Sequence, residues 1–210
     1  MPPNTFTPGA VTADTTAQQA TTTRVQRKAD RRRQLLDAAA RLIAERGFPG
    51  VRLEDLGAAV GISGPAVYRH FASKDAVLVE LLVGISTRLL AGGHAVVESV
   101  DDPHDALAAL VDFHLDFATT EPDLIVIQDR DLASLPDDAR REVRRAQRTY
   151  VELWVHELRR LDATRDERDA RVMAHAVFGL LNSTPHSGRR ESADHTRRVL
   201  RPMAIAALTR

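Results

Sequence analysis

Cysteine is absent from the 210 residues. That excludes a disulfide framework, thiolate metal sites and cysteine nucleophiles, and it accords with a reducing compartment. Aromatic residues make up only 4% of the chain, and no stretch alternates apolar with polar residues as a half-buried strand does. No apolar run approaches the roughly 20 residues needed to span a bilayer. The N-terminus lacks the cationic stretch and apolar centre of a secretory signal. These absences predict a soluble cytoplasmic protein with no membrane partner. No G-x-x-x-x-G-K-[ST] loop or Rossmann glycine pattern occurs, and no two of the eight histidines stand four residues apart, which removes the usual helical zinc pair. Asp129-Arg130-Asp131 offers two carboxylates with no nucleophile or metal partner in view. An enzyme is therefore the disfavoured class, and neither cofactor nor metal is expected.

What is present is a charge asymmetry hidden by a net charge of zero. Residues 24–74 carry eleven Lys and Arg against five Asp and Glu, whereas residues 75–210 carry 18 against 23. A basic segment ahead of an acidic body suggests a polyanion-binding module joined to something else.

The first 23 residues, rich in Thr, Pro, Ala and Gln, show no apolar period and read as a disordered tail. Helical periodicity then runs to the end of the chain. A first helix over about Arg31–Arg46 places Leu35, Leu36, Ala39, Leu42 and Ile43 on one face, and Gly47 stands at its C-cap. Short helices follow at about Leu53–Val60 and from Ser63 to near Phe71. Ser63 is suited to capping the second of these, with Pro65 in its first turn. Ser73 caps a fourth helix from Lys74, which Gly92-Gly93 is expected to interrupt or bend. Further helices are expected from Pro103 to Thr120, from Pro122, from Asp137 to Leu161, from Arg165 to Asn182 and from Ser192 to Leu208. A polar loop spans residues 183–190, and Pro202 should kink or shorten the last helix. The result is an all-α chain of about nine helices. It divides into a tail (1–23), a basic helical segment (24–75) and a longer helical body (76–210).

The stretch from Leu53 to Phe71 carries the function. Leu53, Leu56, Val60, Ile62, Val67 and Phe71 supply an inward face, Gly61 a tight turn, and Gly57 a close helix crossing. This is a helix-turn-helix, whose second helix enters the major groove of double-stranded DNA. With Val67 and Phe71 inward, Pro65 and Arg69 face the groove. Arg69 is suited to guanine O6 and N7, and the Ala66 methyl to a thymine methyl. Arg52, Tyr68, His70 and Lys74 suit phosphates. Arg24, Arg27, Lys28, Arg31, Arg32 and Arg33 form a basic arm that can follow the backbone or reach a minor groove.

From Arg31 to Leu82 the chain resembles the N-terminal domain of TetR-type bacterial repressors. The resemblance rests on Leu36-Asp37-Ala38-Ala39, Gly47-Phe48, Val60-Gly61-Ile62-Ser63, Val67-Tyr68-Arg69-His70-Phe71 and Ser73-Lys74-Asp75. It implies phosphate contacts at Tyr68, His70 and Lys74. It implies base reading by the helix that Ser63 opens, at Gly64, Pro65, Ala66 and Arg69. Two departures stand out. Arg52 occupies a position where the family has a capping Ser or Thr, and Gly64 and Ala66 bring no side-chain donor, which shifts weight to DNA shape.

The resemblance further implies a C-terminal domain that dimerises and holds a small-molecule effector. Val172, Ala176, Gly179 and Leu180 give the penultimate long helix a face suited to a second copy of the chain. Candidate effector contacts are Phe113, His114 and Phe117, then Gln147, Tyr150 and Trp154 at helical spacing, then His175, Phe178 and Asn182. They suit a pocket between the fifth, seventh and eighth helices, with apolar walls and few polar groups. Residues 132–158 resemble, more distantly, TetR-type regulators of acyl-CoA catabolism. There Arg140, Arg141, Arg144, Arg145 and Arg148 are suited either to nucleotide phosphates or to a solvated face paired with acids. The favoured reading is a repressor released from its operator by a small hydrophobic effector, with an acyl-CoA as one candidate and a helical enzyme as the least favoured alternative. An activator, a regulator without a ligand, and an architectural DNA-binding protein share most of these features.

Overall fold

The computed structural model describes residues 11–187 and 191–209, and among them every regular element is helical. The α-helices are α1 (Val11–Arg46), α2 (Leu53–Ala59), α3 (Gly64–Val67), α4 (Lys74–Glu98), α5 (Pro103–Thr120), α6 (Pro122–Asp131), α7 (Asp137–Leu161), α8 (Glu167–Leu181), α9 (Thr184–Ser187) and α10 (Ala193–Thr209). The one more than expected is α9, a single turn inside the predicted polar loop.

Local chemistry sets several of these boundaries. Gly47 ends α1 in the left-handed region, at φ 79°, and donates to Ile43 O at 2.8 Å. Gly61, at φ 71°, turns the chain between α2 and α3. Gly57 allows those helices to meet, since a Cβ there would stand 2.9 Å from both Ile62 O and Val67 Cγ2. Asp102 caps α5 by accepting from the amides of His104 and Asp105. Asp166 caps α8, accepting from Arg168 N at 2.7 Å. That cap is why α8 starts at Glu167 rather than at Arg165.

Two apolar cores result. The first joins Leu35, Ala39 and Ile43 of α1 with Leu53, Leu56, Val67 and Phe71 of the helix-turn-helix and Val77, Leu78 and Leu82 of α4. It continues into Leu124 and Ile127 of α6 and Val143 of α7. The packing of α1–α3 thus continues past residue 75 into α4, α6 and α7. The second core packs α5, α7, α8 and α10 around Leu110, Leu115, Trp154, Leu158, Ala174 and Ala204. By length and composition α4 would suffice to cross a membrane, contrary to the expectation that no stretch comes close. Its Val77, Leu78, Leu81, Leu82 and Ile85 are instead buried in the first core.

Three other expectations change. α1 begins twenty residues before Arg31, so residues 11–23, expected as part of a disordered tail, belong to a helix. No Gly or Pro occurs between Val11 and Arg46, and nothing local stops the helix. Residues 1–10 lie outside the described residues. Pro202 does not end α10, which runs through it. Pro202 is exposed, so the carbonyl one turn earlier that loses its partner is on the solvent side. Finally, Gly92 and Gly93 do not interrupt α4. A Cβ at Gly92 would lie 2.2 Å from Phe113 Cζ, and one at Gly93 would lie 2.5 Å from Tyr150 Cε2 and 3.2 Å from Leu153 Cδ1. These glycines are seats for aromatic rings from α5 and α7.

Two glycines of the same helix should therefore respond oppositely to alanine. Gly93→Ala forces a buried ring to move and should cost about 1–3 kcal/mol. Gly84→Ala meets nothing within 4 Å and should gain up to about 1 kcal/mol from helix propensity. Urea unfolding of the two variants measures both; equal shifts of one sign would refute the ring-seat reading.

Candidate DNA-binding face and effector cavity

The regular part of α3 is four residues long, and the chain then turns through Phe71 with Arg69 N, His70 N and Phe71 N bonded to Ala66 O, Val67 O and Val67 O. Val67 and Phe71 are buried, while Pro65, Tyr68 and Arg69 are exposed. Ser63 precedes α3 in extended backbone but makes no side-chain cap bond, contrary to expectation. Its carbonyl accepts from Ala66 N instead. Gly64 lies against Glu54, whose Cγ would be 3.2 Å from a Cβ at that position, and Ala66 is half-buried. Arg52 has no acceptor with which to cap α2. The start of that helix is closed from within, by Asp55 Oδ2 accepting from Arg52 N at 2.8 Å, and the Arg52 side chain is exposed.

The three phosphate contacts that the resemblance implies differ in readiness. Tyr68 is 53% exposed, and its hydroxyl donates to Glu54 Oε1 at 3.3 Å. Lys74 is half-buried over the Phe48 ring, 4.3 Å from the centroid, and donates to Phe48 O at 2.8 Å. That leaves the ammonium two further N–H groups. His70 is half-buried with Nδ1 unpartnered, and Arg32 donates to its carbonyl. Burial, aided by the charges of Arg32, Lys28 and Arg31, holds the imidazole pKa below its ordinary value. At neutral pH this ring offers a hydrogen bond rather than a charge.

A clamp not foreseen from the sequence joins this unit to the body. Arg130, near the end of α6, donates to Ala44 O at 3.2 Å and to Ile43 O at the end of α1. Its Nε and Nη2 are held by Asp131 Oδ2 at 3.1 and 2.9 Å. Asp131 is buried and accepts from Phe48 N through its other oxygen at 3.3 Å. The Asp-Arg-Asp stretch with no evident chemistry is thus structural in two of its three members.

A cavity of about 230 Å³ opens between the two cores. Its lining includes Ser86 and Leu89 of α4, His114 of α5, Gln128 of α6, Gln147, Tyr150 and Val151 of α7, and His175, Phe178 and Asn182 from α8 and its end. Six of the nine candidate residues are therefore brought together. Trp154 is fully buried behind them, Phe117 stands edge-on to His114 at 5.7 Å, and Phe113 packs on Gly92. Ser86, Leu89 and Gln128 were missed, because α4 and α6 supply them singly with no repeating signal. A larger groove of about 600 Å³ lies among α1, α4 and the α5–α6 junction, but charged side chains of both signs line it, among them Arg33, Glu80 and Arg88.

His114 organises the floor of the smaller cavity. Its Nε2 lies 3.0 Å from Asn182 Oδ1 and its Nδ1 3.3 Å from Tyr150 Oη. With Asn182 accepting, Nε2 carries the proton and Tyr150 donates to Nδ1. Burial pushes the His114 pKa down to about 4 and holds that of Tyr150 above its ordinary value. The floor is therefore neutral, and among the described residues no Lys, Arg, Asp or Glu lines the cavity.

A family model described as bacterial regulatory proteins, tetR family, matches residues 35–81, and one described as Tetracyclin repressor-like, C-terminal domain, matches residues 100–186. The HTH-type transcriptional repressor KstR2 of Rhodococcus jostii (strain RHA1) is 33% identical over 136 residues, covering 61% of this chain and 63% of that protein. The chain thus matches under two thirds of that relative's length. The TetR family regulator PfmR from Thermus thermophilus superposes with a TM-score of 0.73 at 26% identity, covering 83% of this chain and 97% of that one. AibR, crystallised with isovaleryl coenzyme A and operator DNA, shares the fold at a TM-score of 0.69 and 18% identity, over 82% of this chain and 97% of its own.

The buried imidazole makes stability depend on pH. Its folded pKa lies below the unfolded value of 6.5, so the unfolded chain takes up the proton first as pH falls. The contribution is intact above about pH 6.5 and is lost progressively toward pH 4, amounting to about 3 kcal/mol. Urea unfolding of wild type and His114→Gln at pH 7.5, 6 and 5 should show a shallower acid loss in the variant; parallel curves would contradict the assignment.

Proposed function

Because the chain belongs to the TetR family of bacterial regulatory proteins, we propose that it is a transcriptional repressor that binds a double-stranded DNA operator as a homodimer and leaves it when a small molecule enters the cavity. The observation that carries this reading is the position of α6. Gln128 faces the cavity, and two residues on, Arg130 grips the end of α1 in the DNA-binding unit. A ligand that moves α6 acts directly on the frame that orients α3. A coupling of about 1–3 kcal/mol is enough for regulation.

On this reading Tyr68, His70, Lys74 and Arg52 engage phosphates, and Arg69 reads bases beside Pro65 and Ala66. The second copy of the chain sits on α8 and α10. Val172, Val199 and Met203, on those two helices, are three of the five large apolar side chains found exposed among the described residues, at 68%, 44% and 50%. A Cβ on Gly179 of α8 would meet nothing within 4 Å. An apolar patch shared by two adjacent helices fits a self-complementary interface.

The cavity suits an uncharged ligand portion with apolar bulk and hydrogen-bonding groups. Its volume is below the roughly 300–1,000 Å³ of sites for drug-sized molecules, so it takes a small compound or the acyl end of a larger one. An acyl-CoA effector is consistent with this, with its nucleotide outside the cavity. AibR supports that choice by pairing an acyl-CoA with operator DNA on the same fold. Of the arginines on α7 suited to phosphate, Arg140 is engaged by Asp137, while Arg141, Arg144, Arg145 and Arg148 are exposed.

Gel shifts on the DNA flanking its own gene test the core of the proposal. A discrete, competitor-resistant complex is expected for wild type. Arg69→Ala should weaken it by about 1–3 kcal/mol, roughly tenfold or more, and Tyr68→Ala should weaken it as well. Acyl-CoAs of increasing chain length should dissolve the complex at one preferred length. Operator affinity indifferent to every ligand would favour a regulator that senses none, and binding equal on all sequences would favour an architectural protein.

The interface has its own check. Val172→Glu combined with Met203→Glu should convert a dimer to a monomer in sedimentation analysis with helicity retained; an unchanged mass would place the partner elsewhere.

A further inference from the structure

Residues 24, 27, 28 and 31 stand at i, i+3, i+4 and i+7, so Arg24, Arg27, Lys28 and Arg31 share one face of α1. One turn further on, the same face carries Leu35, which is fully buried, and then Ala38, Ala39 and Leu42 of the core. The basic row is thus the continuation, past the end of the domain, of the stripe by which α1 packs on the helix-turn-helix. Where apolar partners run out, the face turns cationic. Arg24, Arg27 and Lys28 are exposed and make no ion pair within α1 or with the rest of the domain among the contacts described. Arg31 marks where the row meets the domain, donating to Val60 O beside the turn of the helix-turn-helix at 3.1 Å.

The other side of the helix is different. Asp30, the one acid between Arg24 and Arg33, accepts from Gln26 and pairs with Arg33, both at 3.1 Å. Arg32 leaves the row as well, held by Glu80 and His70 O and stacked 4.1 Å over the Phe71 ring. Of six basic residues in the arm, four therefore form one face. Lys28 and Arg31 of that face lie near enough to His70 to perturb its imidazole. The row and the C-terminal end of the recognition turn share one side of the molecule.

We infer that this face of α1 is a second DNA-contacting element, which grips backbone phosphates beside the groove entered by α3. The inference rests on the operator-binding reading above and adds to it a surface outside the helix-turn-helix. From Arg31 to Arg24 the row extends about 10 Å at 1.5 Å per residue, comparable to the roughly 12 Å width of the major groove. Such a row reaches phosphates flanking the site that α3 reads. Phosphate contacts carry no sequence information but release counterions, so their signature is salt dependence.

The test is equilibrium binding of the full-length protein to its operator and to an unrelated duplex across a salt series. Wild type is compared with the triple variant Arg24→Gln, Arg27→Gln, Lys28→Gln, and with Arg33→Gln on the opposite face as control. Gln keeps helix propensity, and circular dichroism checks it. The slope of log K against log salt should become shallower in the triple variant by about 0.9 for each phosphate released, hence by up to about 5 for three residues in each half of a dimer. Affinity for both duplexes should fall by the same factor, and Arg33→Gln should match wild type. A triple-variant slope equal to that of wild type on an operator still bound selectively would overturn this inference alone. Selective loss on the operator with an unchanged slope would also overturn it, by assigning the arm to base or shape reading. A wild type that prefers no duplex would instead remove the operator reading beneath it.

Discussion

The last carbonyls of an α-helix have no partner inside it and carry the negative end of its dipole. In α1 that end is met by a guanidinium from another part of the chain. Arg130 binds Ile43 O and Ala44 O, and Asp131 fixes the guanidinium while taking the amide of Phe48. Phe48 in turn accepts from Lys74 at the start of α4. A short chain of hydrogen bonds thus ties α6, the end of α1 and the beginning of α4 into one corner. Both helices that frame the helix-turn-helix depend on it. An arginine beside buried carbonyls costs desolvation unless its donors are satisfied; here the neighbouring carboxylate does that, and the arrangement is specific in direction where apolar packing alone is not.

The interior of the body poses the opposite problem. His114, Tyr150 and Asn182 place polar atoms among aromatic rings, with His114 within 5.1 Å of the Phe178 centroid and 6.3 Å of that of Trp154. Buried polar groups are tolerated when each finds a partner, and a neutral imidazole bonded at both nitrogens meets that condition. The indole Nε1 of Trp154 does not, having no hydrogen bond of ordinary geometry. The floor is uncharged, and the polar groups it leaves to a molecule in the proposed effector site include the amides of Gln128 and Gln147.

The sequence made the helix-turn-helix legible almost residue by residue, because each of its requirements has a local signature: left-handed glycines at 47 and 61, a crossing glycine at 57, and inward positions at fixed spacing. The apolar stripes of α5, α7 and α8 were legible for the same reason, and they brought six cavity residues to one place. Much of what failed depended on a partner distant in the chain. Gly92 and Gly93 look like breakers until the rings of Phe113 and Tyr150 are set against them. Ser63 looks like a cap until its side chain is seen to do without one. Ser86 and Gln128 reach the cavity from helices that contribute nothing periodic to it, and Asp131 takes its meaning from Phe48, 83 positions away.

The unbroken course of α4 through Gly92 and Gly93 has a mechanical meaning. Twenty-five residues of continuous helix make a lever of about 37 Å. Its C-terminal half is seated by the rings that wall the body, and its N-terminal end is bonded into the corner beside the recognition turn. A tilt of about five degrees about its midpoint moves that end by roughly 1.5 Å. In the proposed homodimer the displacements would add, to about a tenth of the 34 Å groove repeat that its two recognition helices would have to match. Had the two glycines broken the helix, the same tilt would have been absorbed at the joint.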